Sequence, residues 1–103
     1  LVSGALSQWE GQVSVFAPHK GGPCYACVFP SPPKDGLAVT CSEGGVFSPL
    51  PGVIGSVMAV ETLKILSHSG NTLLGQMFIY DGLNGESRKI KINQSKKCPI
   101  CSI

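Results

Sequence analysis

Two Cys-x2-Cys pairs constrain this chain more than anything else in it: Cys24-Tyr25-Ala26-Cys27 and Cys98-Pro99-Ile100-Cys101. An x2 spacing lets both thiolates of a pair reach one ion from a tight turn, each about 2.3 Å from zinc. Gly21-Gly22-Pro23 before the first pair and Pro99 inside the second supply residues that bend backbone into such turns. Two pairs fill four tetrahedral positions and leave none for water or substrate, which marks a structural site rather than a catalytic one. Residues 28 to 97 separate the pairs, whereas a self-contained zinc ribbon places roughly 12 to 20 residues between them. A shared ion would therefore be a long-range clamp joining the early chain to its end.

Spacing alone leaves disulfides, a redox dithiol or unrelated thiols as alternatives. A fifth cysteine, Cys41, makes the count odd, and no secretory charge pattern opens the chain; both favour a reducing compartment, the cytoplasm, over disulfides. A redox pair normally opens a helix after a strand, and neither pair is expected to do so here.

The staple matters because the core is small. With 103 residues, 43% of them hydrophobic, the chain is one domain or a piece of one. It opens on Leu1-Val2-Ser3-Gly4 without an initiator methionine, which reads as the interior of a longer domain. A net charge of +2 with 14% charged residues is too weak and dispersed for a nucleic-acid footprint. The one basic concentration, Arg88, Lys89, Lys91, Lys96 and Lys97, reads as a solvated strand face and tail. No uninterrupted apolar run reaches the roughly 20 residues of a membrane span, so no membrane partner is expected.

Along the chain, Gly11 to Ala17 predicts a strand stopped by Pro18. The prolines and glycines of residues 18–40 predict a long loop without regular elements, pinned by Cys24 and Cys27. From Gly52 to Leu66 apolar residues fall nearly all round a helix, which predicts a buried helix between a sheet and another layer. Gly52, Gly55, Ser56 and Ala59 would let a neighbouring backbone approach, and Gly70 would end the helix, with His68 as a helix-end residue without a catalytic role. Gln76 to Tyr80, a turn over Asp81 to Gly85, and Ser87 to Ile92 predict an antiparallel hairpin with one packed and one wet face.

This order carries a resemblance. Gly11-Gln12-Val13-Ser14-Val15-Phe16, Cys24-Tyr25-Ala26-Cys27-Val28-Phe29-Pro30, Thr40-Cys41-Ser42-Glu43-Gly44-Gly45-Val46, the helix from Gly52 to Lys64, Ile79-Tyr80-Asp81-Gly82-Leu83 and Cys98-Pro99-Ile100-Cys101 follow one another as in the ThiF/MoeB/HesA superfamily. The chain resembles the C-terminal half of such an adenylyltransferase, closest to the MoeB type, including the eukaryotic forms that append a rhodanese domain. The resemblance implies an α/β fold, the C-terminal portion (residues 1–103) of a Rossmann-like activating-enzyme domain whose N-terminal ATP-binding half is absent. No Gly-rich nucleotide motif can be matched, since Gly21-Gly22 and Gly44-Gly45 lack both the spacing and the strand–turn–helix context.

The resemblance further implies a zinc tetrathiolate at Cys24, Cys27, Cys98 and Cys101, and a catalytic thiol at Cys41 in the loop that crosses the carrier's tail. It implies ATP and magnesium bound mainly outside this segment, and a ubiquitin-like sulfur-carrier protein with a Gly-Gly tail as partner. A homodimer and a sulfurtransferase or cysteine desulfurase complete the set. From the residues alone, Gly44 and Gly45 amides favour a thiolate at Cys41 while Glu43 opposes one. A non-catalytic zinc-stabilised interaction module that binds a ubiquitin-like protein is the rival expectation.

Overall fold

Strands whose alternate residues are apolar or small pair into one sheet in the computed structural model, which describes residues 1–20, 22–29, 45–95, 98 and 100. β1 (Val2–Ser7), β2 (Glu10–Val15), β3 (Gln76–Asp81) and β4 (Glu86–Lys91) lie in the order β1-β2-β3-β4, every neighbour antiparallel. The register sets Val2 opposite Val15, Gly4 opposite Val13 and Leu6 opposite Gly11, and Val13 opposite Phe78 on the other side. Paired residues share a face, so these positions form the side on which the helix sits. A β-carbon at Gly4 or Gly11 would collide with Met58 or Ile54, which is why the helix approaches the sheet over glycines.

The sequence reading missed β1. Its inward positions are Val2, Gly4 and Leu6, too small a signal for alternation, and the two-residue connection Gln8-Trp9 contains none of the usual hairpin-turn residues. Gln8 itself adopts the left-handed backbone, at φ 44°.

The covering helix, α2, spans Leu50–Ser67 and carries Pro51 in its first turn, where a missing N–H costs nothing. It begins two residues before the expected Gly52. His68, at φ 54°, takes the left-handed capping position itself, with its N–H on Ile65 O at 3.4 Å and Ser69 N–H on Lys64 O at 3.0 Å. Gly70 follows in the same region at φ 64°.

Leu50 and Ile54 of α2 join Val13, Val15 and Leu73 in the core. The helix is not buried all round, however. Val60, Leu63 and Leu66 are 53%, 65% and 72% exposed, so among the described residues only one layer, the sheet, covers it. At 18 residues α2 is long and apolar enough to cross a membrane by length and composition alone; here one side of it packs on the sheet.

Two other expectations change. Residues 18–29 are not free of regular structure: Pro18–Lys20 form a 3-10 turn and Tyr25–Val28 a four-residue helix, α1. The rest of the expected loop, residues 30–44, lies outside the described residues. The β3–β4 hairpin forms with the expected turn, yet β4 is exposed on both faces. Its charged side chains suit an edge strand, where they discourage pairing with another chain.

Glu61 holds α2 to the segment that follows it. Its buried carboxylate accepts the Leu73 N–H at 2.6 Å and pairs with Lys64 Nζ at 2.5 Å, while Lys64 also donates to Asn71 O at 2.7 Å. Removing the acceptor leaves a buried donor unsatisfied. Glu61→Ala is therefore expected to lower stability by about 2 kcal/mol in urea unfolding, and Glu61→Gln, which keeps an acceptor, by less.

Asp81 organises the β3–β4 turn. Its carboxylate accepts Asn84 Nδ2 at 2.8 Å and the Leu83 N–H at 2.9 Å, and these bonds, the Asn84 side chain foremost, hold its pKa below the ordinary aspartate value. The folded state thus favours the charged form: the contribution is present above the unfolded-state pKa and fades as pH falls through the folded one. An NMR titration is expected to show Asp81 below the usual range and Asn84→Ala to move it upward.

Candidate metal centre

At the end of the sheet where β2 finishes, aromatic packing fixes α1. Phe16, buried at 3% exposure, meets Tyr25 edge-to-face at 5.7 Å between ring centroids, and Tyr25 packs on Phe29 at 4.9 Å. This anchors the first cysteine pair. Cys24 caps α1, and the Cys27 N–H bonds back to Cys24 O at 3.1 Å, closing a tight turn around the two thiols. Cys24 does open a short helix, but a 3-10 turn and Gly22-Pro23, not a strand, precede it directly.

Cys98 arrives from the other end of the chain, after β4. Its sulfur lies 3.5 Å from Cys24 Sγ, and Cys27 Sγ lies 3.7 Å from Cys24 Sγ. All three sulfurs fall within 4.8 Å of one another. A disulfide needs about 2.05 Å, so the two measured contacts are not disulfides. Four sulfurs at about 2.3 Å from a zinc ion stand about 3.8 Å apart by tetrahedral geometry, and the measured separations come within a few tenths of that. The Ile100 N–H points at Cys98 Sγ from 3.5 Å. Cys24 and Cys98 are buried and Cys27 half-buried. These three cysteines can hold a metal ion.

The structure thus brings together three of the four expected ligands from opposite ends of the chain. Cys101 and Cys41 lie outside the described residues. His68 caps α2, remote in role from any of these thiols.

A second feature escaped the sequence reading. At the tip of the β1–β2 hairpin a cleft of about 580 Å³ is lined by residues including Ser7, Gln8, Trp9, Glu10 and Asp81. Beside it Trp9 stacks on Phe47 with ring centroids 4.6 Å apart. The only available signal was a lone tryptophan next to a strand start, which carries no chemistry by itself.

Comparison with known proteins agrees with the sequence resemblance. The sequence is 45% identical over 105 aligned residues to the sulfur carrier protein adenylyltransferase of Thermus thermophilus, covering 98% of this chain and 39% of that protein. It is 42% identical to the adenylyltransferase and sulfurtransferase MOCS3 of Mus musculus, covering 98% of this chain and 22% of that one. The MOCS3 of Arabidopsis thaliana is 44% identical, with 98% and 22% covered. The chain therefore spans well under half the length of these relatives. Among solved structures, Escherichia coli MccB with ATP superposes with a TM-score of 0.72 at 15% identity, over 99% of this chain and 32% of that one, which shows a shared fold. The pattern that describes the ThiF family matches residues 1–100, and the chain belongs to that family.

Proposed function

We propose that this chain is the C-terminal part of an ATP-dependent adenylyltransferase that activates the C-terminal Gly-Gly carboxylate of a ubiquitin-like sulfur-carrier protein. The observation that carries this reading is the continuous match, over 98% of the chain, to proteins named for that activity. In the reaction a carrier carboxylate oxygen attacks the α-phosphorus of ATP, an acyl-adenylate forms, and pyrophosphate leaves. ATP and magnesium bind mainly to residues beyond this segment. The exposed apolar side of α2, with Val60, Leu63 and Leu66, supports a place within a larger body.

Within that enzyme this segment has two tasks. Cys24, Cys27 and Cys98, with Cys101 as the fourth ligand, hold a structural zinc ion that closes the segment on itself. A closed tetrathiolate offers no site for substrate, so its work is mechanical: it ties α1, and with it the start of residues 30–44, to the end of β4. Cys41, within that stretch, is the thiol that meets the activated carrier. Attack of its sulfur on the acyl carbon would expel AMP and leave a thioester. A reducing compartment, the cytoplasm, is the setting these thiols require.

The decisive assay is carrier-dependent ATP–pyrophosphate exchange by the full-length protein. Exchange that appears only with a carrier ending in Gly-Gly is expected, and its absence would leave the rival, a binding module without chemistry. Cys41→Ala is expected to leave exchange within about 2-fold while lowering thiocarboxylate formation at least about 10-fold; unchanged thiocarboxylate formation would make Cys41 a bystander. Cys98→Ser removes a buried thiolate from the clamp, and the expected results are loss of bound zinc and a marked drop in melting temperature.

A further inference from the structure

The two arms of chain that bring Cys24 and Cys98 together leave a cavity between them. Gly22 and Pro23 lead into Cys24, while Asn93 and Gln94 lie on the way from β4 to Cys98. With Gly75 and Gln76 at the start of β3, they line a space of about 400 Å³, a size that suits a small molecule. Backbone contacts tie down its walls. The Ile92 N–H donates to Gly75 O at 2.9 Å, the Lys20 N–H donates to Ala17 O at 2.9 Å, and Leu74 bridges to Val15. Pro23 is fully buried. A β-carbon at Gly22 would come within 3.0 Å of Leu74 Cδ1, so the arm before Cys24 lies close against the segment that enters β3.

The cavity carries charge of one sign. Lys20 and Lys91, one from each arm, are the charged residues in its lining, and neither pairs with a carboxylate among the described residues. A neighbouring cavity of about 350 Å³ shares Lys20 and is lined by His19, Lys64 and His68, again without a carboxylate among the described residues. The acidic groups of the sheet stand at its other end. Asp81, opposite Glu10 on one side and Glu86 on the other, lies five residues along β3 from Gln76, and Gln76 is opposite Lys91. At about 3.4 Å per residue this is about 17 Å, roughly twice the screening length at physiological salt. Glu61 is buried, and Lys64 meets its charge. Two ammonium groups left unneutralised in one cavity attract a dianion more than a monocarboxylate. Lysine binds phosphate as a point charge, and the carboxamides of Gln76 and Asn93 can donate to its oxygens.

We propose that this cavity is a binding site for a small phosphorylated molecule, with Lys20 and Lys91 holding its phosphoryl oxygens. Because the lining residues lead directly to Cys24 and Cys98, the bound anion bridges the same two arms that the cysteines join. The inference does not rest on the adenylyltransferase reading.

Methyl NMR on the full-length protein reads the site through Leu74 and Ile92, which both line it. Pyrophosphate titrated at constant ionic strength is expected to shift both methyl resonances to saturation, and acetate to leave them in place. Lys20, Lys89 and Lys91 are all exposed, so their replacement by glutamine leaves the core untouched. The double variant Lys20→Gln/Lys91→Gln is expected to weaken pyrophosphate binding at these methyls at least about 10-fold. Lys89→Gln, which removes a β4 charge outside the cavity lining, is expected to stay within about 2-fold. The absence of a saturable shift, an equal response to acetate, or an unchanged affinity in the double variant would overturn the proposal. So would an equal loss in Lys89→Gln, which would mark general attraction to a basic edge.

Discussion

The contact between Cys24 and Cys98, 74 positions apart with sulfurs 3.5 Å from one another, governs how the rest of the molecule holds together. It brings α1, which also packs through Tyr25 on Phe16, to the chain that follows β4. Among the described residues the core cluster under α2 is modest, with Val13, Val15, Leu50, Ile54 and Leu73 buried at its centre. Metal binding by preformed thiols contributes to folding directly, since an unfolded chain holds no such site. The clamp also closes a long stretch of chain, the case in which restricting the unfolded state matters most.

Two fastenings of different chemistry therefore flank residues 30–44. At one side three cysteine sulfurs from distant parts of the chain lie close together. At the other, a stacked pair and two backbone hydrogen bonds gather the hairpin tip, the β3–β4 turn and the first residues of α2. The four-stranded sheet lies between them.

Much of this was legible in the residues. The cysteine spacing proposed one site, and the structure brings Cys24, Cys27 and Cys98 to separations that suit one ion. The strands β2, β3 and β4 followed from alternation and from the Asp81-Gly82 turn. What failed did so for physical reasons. β1 was invisible because Gly4 replaces an apolar side chain where the helix presses on the sheet, and because Gln8 makes a turn that glycine would normally make. The burial of α2 was overestimated because apolar residues at Val60, Leu63 and Leu66 indicate a second covering layer, and the described residues supply only one. The Trp9–Phe47 junction left no trace because its partners are distant in sequence and joined mainly by backbone atoms.

The central claim is that one zinc ion joins the two ends of this chain. X-ray absorption at the zinc edge on the purified full-length protein, with the metal content measured on the same sample, tests it directly. The account predicts one zinc per chain with a first shell of four sulfurs at about 2.3 Å. A shell containing oxygen or nitrogen in place of the Cys98 sulfur, or a metal-free protein with its paired cysteines oxidised, would contradict it.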